Sequence, residues 1–256
     1  MPVIYRTTFL AGLCAFLALP ALAQSPSHPL YTVQTQKITA AVPSTLWGLF
    51  FEDINRGADG GVYAELVKNR SFDFPKPMTG WETWPRRVRD GIFEVTDHLE
   101  ENPHDPKIMH VETRAGDTVG LINEGFDGIA LKRGVNYTFT LEYRQVEQGI
   151  HVRVFLFNGN RRAVAHMAME LGGANNGWQE QRVVLTPSDT AVSGKLLVIF
   201  EGAGRLDIDR VSLFPADTWK GRAGGWRKDL VQKLADLHPG SQVPQARGPV
   251  GAAGGQ

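Results

Sequence analysis

Residues 150–169 read IHVRVFLFNGNRRAVAHMAM. Ile150, Val152, Val154 and Leu156 alternate with His151, Arg153, Phe155 and Phe157, the period of a strand with one apolar face. Asn158-Gly159 then interrupts the run before a second strand-like stretch, which predicts an antiparallel hairpin. On both sides similar runs recur. IFEVTD (92–97), IMHVET (108–113), YTFTLEYR (137–144), WQEQRVVL (178–185) and KLLVIF (195–200) are separated by Gly- and Pro-rich breaks, with no long helical period between them. Several short antiparallel strands at this spacing predict a β-sandwich. LDIDRVSLF (206–214) reads as its last strand, with a slip of phase near Asp209 that predicts a bulge.

The flanks have another texture. Tyr31 to Ile38 alternates as a strand, and Leu46 to Phe51 is the short apolar run of a strand covered on both faces, as in a parallel sheet. Val62 to Asn69 has the spacing of a short helix, with Asp59 as its cap. After Pro215, a polar Gly-containing entry leads into Trp226 to Leu237, where Leu230, Val231, Leu234 and Leu237 share a helical face. An α/β pattern therefore opens, is interrupted by strands, and resumes. The last sixteen residues, SQVPQARGPVGAAGGQ, carry only Val243 and Val250 as large apolar side chains and are expected to be disordered.

Arg6, the apolar run Phe9 to Leu19 and the small-x-small site Ala21-Leu22-Ala23 are expected to form a cleaved signal peptide directing export, secreted or periplasmic. Pro20 closes that run too early for a membrane span. Cleavage removes Cys14, the single cysteine, so the exported chain forms no disulfide. It leaves 26 basic against 27 acidic side chains, a balance that argues against nucleic acid as a partner.

The stretch LWGLFFEDINRGADGGVYAELVKNRSFDF (46–74) resembles the opening of the larger α-L-arabinofuranosidases of glycoside hydrolase family 51. DTWKGRAGGWRKDLVQKLADLHPG (217–240) is similar to the segment by which those enzymes re-enter their barrel. NEGFDGIALKRGVNYTF (123–139) and LDIDRVSLFP (206–215) resemble their inserted carbohydrate-binding-like sandwich. The resemblance implies a β-rich α+β chain: a jelly-roll-like β-sandwich inserted into the first pieces of an incomplete (β/α)8 barrel. The boundaries expected are 1–23 for the signal peptide, 24–79 for the first βα unit, 80–215 for the sandwich, 216–240 for a barrel helix and 241–256 for the tail. It further implies release of terminal non-reducing α-L-arabinofuranosyl groups from arabinose-containing plant polysaccharides or oligosaccharides. The family mechanism is retaining, with an acid/base glutamate and a nucleophilic glutamate about 5 Å apart.

By the same resemblance Glu52, at the C-terminal end of the first strand, hydrogen-bonds the arabinose hydroxyls and is neither catalytic glutamate. Asp53, Asn55 and Arg56 are expected to contact sugar or to fix the loop, whose glycines allow tight turning. After Pro239-Gly240 the family continues with a strand of the form F-L-R-F-P-G-G, where this chain has Ser241-Gln242-Val243-Pro244. No catalytic residue is therefore assigned within 1–256, and a truncated or frame-shifted product is the simplest account. Residues 31–79 and 216–256, about 90 in all, flank the sandwich, against roughly 250 for a closed barrel.

Trp81, Phe155 and Phe157 are candidates for stacking on sugar rings, with core packing as the alternative for each. Trp84 and Trp178 carry the same two readings. Asp207 and Asp209 alternate on one strand and are weak candidates for a structural Ca²⁺; no other cofactor is expected. The seven histidines show no metal-ligand spacing. Asn69-Arg70-Ser71 and Asn136-Tyr137-Thr138 are glycosylation sequons. A carbohydrate-binding protein that works through the sandwich alone is the alternative to the enzyme.

Overall fold

A computed structural model describes residues 31–38, 40–41, 43, 46, 48–52, 56–89, 92–100, 103–173, 177–237 and 241–243. The chain divides into two units, Met1–Pro43 and Ser44–Gln256. In the first, residues 31–38 are exposed and hold a turn rather than the expected strand. Their alternation has no second strand to pair with among the described residues, and an isolated strand leaves its backbone groups to water. The signal-peptide region lies outside the described residues.

The second unit is built on two antiparallel sheets. One runs β10 (Gln179–Leu185), β7 (Tyr137–Glu147), β12 (Gly204–Pro215), β4 (Lys107–Thr113), β3 (Phe93–Asp97). The other runs β2 (Trp81–Trp84), β5 (Thr118–Asn123), β11 (Ala191–Gly202), β8 (Ile150–Phe157), β9 (Ala163–Met169), with β6 (Ile129–Leu131) paired to β11. One buried cluster draws on both: Phe139 and Leu141 of β7 and Ile208 of β12 from the first, Val152 and Val154 of β8 and Val198 of β11 from the second. Phe93 and Phe200 meet edge-on between them, centroids 5.9 Å apart. Each such fully buried side chain contributes about 1.5–3 kcal/mol.

Alternation decides this arrangement. On β8 the four aliphatic residues named above are buried and the four alternating residues are not. The hairpin to β9 forms as expected, though by a longer turn. Asn158 Oδ1 accepts the backbone N–H of Asn160 and Arg162, and the left-handed residue is Arg161, φ 58°, rather than the glycine. On β12, Leu206 and Ile208 point inward, then Val211 and Leu213, with the register slipping between Asp209 and Ser212. Arg210, φ 42°, is the extra residue of the expected bulge.

Three strands of the two sheets were not legible, β2, β5 and β6. β5 contains Gly120, which reads as a break, yet a Cβ there would come 2.5 Å from Val198 O, so the close approach of β11 requires glycine. β2 is only four residues long.

The flanking pieces differ more. β1 (Gly48–Phe50) is a strand in parallel pairing, but its partner is β13 (Ser241–Val243), the start of the segment expected to be disordered. The pair has no further strand among the described residues, and Phe50 is 61% exposed instead of covered on both faces. Val62 to Asn69 is not a helix, so Asp59 is not the cap of one. Its amides are taken by distant partners: Ala64 N–H donates to Gly225 O, Leu66 N–H to Leu213 O, and Val62 O accepts from Arg227 N–H. A segment whose backbone groups are taken from both sides cannot close the i→i−4 ladder. The expected helix near 226–237 is α1 (Lys228–Asp236), preceded by a 3-10 turn at Trp219–Gly221. Leu230, Val231 and Leu234 are half-buried and Leu237 is 54% exposed.

Candidate functional site

The loop after β1 carries Glu52, whose side chain is exposed. Asp53 and Asn55 lie outside the described residues. Arg56 resumes the chain with φ 66° and pairs with Asp127 in the 124–128 turn, which places it as a fastener of the loop. Gly60, φ 79°, lies where a Cβ would meet the Phe126 ring at 2.6 Å. Gly61 is tighter: a Cβ would stand 2.3 Å from Gly57 O and 2.4 Å from Arg56 O. The glycines thus fold the loop on itself, and Val62 N–H donates to Gly57 O at 3.0 Å.

Glu65 anchors the segment beyond this loop. It is 3% exposed, and Oε1 accepts the backbone N–H groups of Leu66, Val67 and Leu213, each at 2.9 Å. Oε2 accepts the Ser212 hydroxyl and lies 3.8 Å from Arg70. Burial pushes its pKa up, against the lowering effect of those hydrogen bonds and of Arg70. The carboxyl group therefore ties the segment behind Glu52 to β12. Nothing in the sequence distinguished Glu65 from a solvated helix acid.

Between β1 and α1 lies a groove of about 740 Å³, lined chiefly by Leu49, Phe50, Phe51, Trp219, Trp226 and Leu234. Trp226 is 51% exposed and Phe51 41%, so this is an apolar surface beside the Glu52 loop.

The other candidates are placed apart from that loop. Trp81 is buried, its ring tilted against Phe72 with centres 5.4 Å apart, and its Nε1–H donates to Asn69 O. Its faces belong to the core and not to a sugar site, because one apolar ring with one donor is fully satisfied there. Trp84 is 38% exposed, and Trp178 is half-buried under the Arg144 guanidinium, 5.0 Å from its ring centre. Phe155 and Phe157 lie on the outward face of β8 with ring centres 6.0 Å apart. His166 stacks on Phe155 at 5.6 Å, and the Arg153 guanidinium lies over the same ring at 5.5 Å.

Asp207 and Asp209 share a face as expected, but each already has cations and donors of the protein. Asp207 accepts from Arg144 at 2.7 and 2.9 Å and from His110 Nδ1 at 2.5 Å. Asp209 accepts Arg210 N–H at 2.7 Å, and burial, with the Asp105 charge next, pushes its pKa to about 8. Both carboxyl groups are thus engaged by the protein's own donors, and burial disfavours the charged form of Asp209 that Ca²⁺ would need. No group of three or more His, Cys, Asp or Glu arranged for a metal occurs among the described residues. Asn69 is buried and donates to Pro77 O and Thr79 O, which closes the first sequon to a glycan; Asn136 is exposed.

No family model matches the chain. It is 36% identical to an extracellular exo-α-L-arabinofuranosidase of Streptomyces chartreusis, over 92% of this chain and 28% of that protein. It is 29% identical to α-L-arabinofuranosidase 1 of Arabidopsis thaliana, over 91% of this chain and 36% of that one. An arabinose-bound family 51 α-L-arabinofuranosidase structure matches 80% of this chain and 34% of its own, at 29% identity and a TM-score of 0.67. The chain belongs with the family 51 α-L-arabinofuranosidases. It spans about a third of the length of these family members. Among the described residues no helix is long and apolar enough to cross a membrane.

Proposed function

We propose that this chain is the N-terminal part of an exported family 51 arabinofuranosidase, which releases terminal non-reducing α-L-arabinofuranosyl groups by a retaining mechanism. The two sheets are its inserted jelly-roll-like β-sandwich, and β1, α1 and β13 are the first pieces of its (β/α)8 barrel. The observation that carries this reading is the 36% identity over 92% of the chain to an extracellular arabinofuranosidase. The parallel pairing of β1 with β13 across the whole strand-rich region also supports it, since parallel neighbours need a crossover and here the sheets lie within it. Glu52 serves as the carboxylate that accepts hydrogen bonds from arabinose hydroxyls, with Arg56 holding its loop against Asp127. Asp53 and Asn55 are proposed to support it. The acid/base and nucleophilic glutamates are supplied by barrel strands other than those described here, so these residues alone bind and position sugar without cleaving it.

The test is release of arabinose from arabinan and arabinoxylan, assayed for this chain and for the longest product of its coding locus. The longer product is expected to release free arabinose and this chain none. Changing Glu52→Gln in the longer product is expected to raise KM with a smaller loss in kcat. Release of internal oligosaccharides, or no release at all, would end the proposal.

A second reading rests on the outward face of β8. Phe155, Phe157 and His166 form a row of stacked rings flanked by Arg153, whose guanidinium lies over Phe155, and by Glu201, which pairs with Arg153 at 2.5–3.0 Å. Aromatic planes with polar neighbours suit the C–H faces and hydroxyls of a sugar chain. Retention of the chain on insoluble arabinoxylan, lost on Phe155→Ala, supports that reading; no retention rejects it.

A further inference from the structure

The outward face of the five-stranded sheet holds a feature unrelated to the Glu52 loop. His98, just past β3, and His110 of β4 turn their Nε2 atoms toward each other, 3.4 Å apart. Thr96 Oγ1 lies 2.6 Å from His110 Nε2 and 2.9 Å from His98 Nε2. On the other side of the His110 ring, Nδ1 meets Asp207 Oδ1 at 2.5 Å, and Asp207 is itself held by both Arg144 nitrogens. Asp207 stands directly opposite His110 on one side and Arg144 on the other, so the sheet register places the whole row.

We propose that His98 and His110 form a chelating site for a divalent transition-metal ion such as Zn²⁺, with Thr96 Oγ1 as a third, weaker donor and water completing the shell. Two imidazole nitrogens about 2.0–2.1 Å from a tetrahedral ion stand about 3.3 Å apart, which the observed pair matches. A point about 2 Å from all three donors lies about 1 Å above their plane, and the 2.6 Å between Thr96 Oγ1 and His110 Nε2, shorter than a tetrahedral edge of about 3.3 Å, makes the threonine the weaker donor that steps back when an ion enters. The Asp207 contact is what a metal-binding imidazole needs: with the proton held on Nδ1, the Nε2 lone pair faces the ion. Asp207, buried and clamped by Arg144, keeps that ring from rotating. With no third His, Cys or carboxylate arranged beside them among the described residues, the site is two-pronged and of modest affinity, suited to imidazole-preferring ions and not to Ca²⁺ or Mg²⁺. The site does not depend on the arabinofuranosidase reading.

The test is calorimetric titration of the tag-free, EDTA-stripped full chain with zinc chloride and with nickel chloride at pH 7.5. One ion per chain is expected, with a micromolar dissociation constant. His98→Ala and His110→Ala are each expected to weaken binding about tenfold or more, and Asp207→Asn by about ten- to a hundredfold. His166→Ala, on the other sheet, is expected to leave it unchanged. His98→Ala removes a half-exposed side chain beyond the strand end, so it tests the site even if the Asp207 variant does not fold. Failure of the stripped chain to take up either ion, or unchanged affinity in His98→Ala, overturns the proposal.

Discussion

Replacing Glu65 separates two roles that a buried carboxylate combines. In Glu65→Ala the backbone donors of Val67 and Leu213 and the Ser212 hydroxyl lose their acceptor, whereas Leu66 N–H keeps Leu213 O at 3.0 Å. A buried donor left unsatisfied costs about 1–3 kcal/mol, so two orphaned amides predict a loss of about 3–5 kcal/mol once partial solvation of the vacated space is allowed for. That is a large part of the roughly 5–15 kcal/mol typical of a domain. Glu65→Gln behaves differently. Its amide oxygen can accept the same three N–H groups, and the serine hydroxyl can turn to accept from the new NH₂. Burial pushes the Glu65 pKa up against the lowering effect of its hydrogen bonds and Arg70, so the fold gains more from the acceptor atoms than from the charge. The glutamine variant should therefore lie within about 1 kcal/mol of wild type. Urea denaturation followed by tryptophan fluorescence measures both, since Trp81 packs near this segment through Phe72. Equal losses in the two variants would show that the carboxylate acts through its charge and Arg70, and would refute the acceptor argument. A loss below about 1 kcal/mol in Glu65→Ala would refute the clamp altogether.

Three further outcomes are expected. Gly61→Ala forces a Cβ against two backbone carbonyl oxygens, so the 56–63 loop must open; a melting-temperature loss corresponding to about 1–3 kcal/mol and faster proteolysis near Arg56 are expected, and wild-type stability would contradict the close approach. Asp209→Asn concerns a carboxyl whose folded pKa of about 8 lies above its ordinary value of 3.8, so the native state holds the proton more tightly and wild-type stability rises as pH falls from about 8 toward 4. The asparagine variant should melt above wild type at pH 8.5–9, with the gap closing toward pH 5; a gap that widens in acid would reverse the sign of the effect. Phe50→Ser and Trp226→Ser, on the exposed wall of the groove beside β1, should reduce aggregation in light scattering without lowering the unfolding midpoint of the sheets, because both side chains are more than half exposed.

Much of the architecture was written in the chain. Two-residue alternation in 150–157 fixed which side chains enter the core, and the phase slip in LDIDRVSLF announced a bulge near Asp209, which the structure has at Arg210, because both signals are local and strand geometry has a strict period of two. The glycines after Glu52 announced a tightly folded loop for the same reason. Tertiary structure decided the rest. Val62 to Asn69 has the apolar spacing of a helix, but acceptors brought by the fold, among them Leu213 O, Gly225 O and the Glu65 carboxyl, take its amides instead. Gly120 reads as a break until Val198 O approaches within 2.5 Å of where its side chain would stand. Trp81 could have faced sugar or core, and its Nε1–H bond to Asn69 O settled the matter. His98 and His110 carry no recognisable ligand spacing, because strand pairing and not sequence distance brings their nitrogens together. Periodicity and turn chemistry act between neighbours and can be read along the chain; burial, cross-strand pairing and capture of backbone donors join residues far apart, and only the folded molecule shows them.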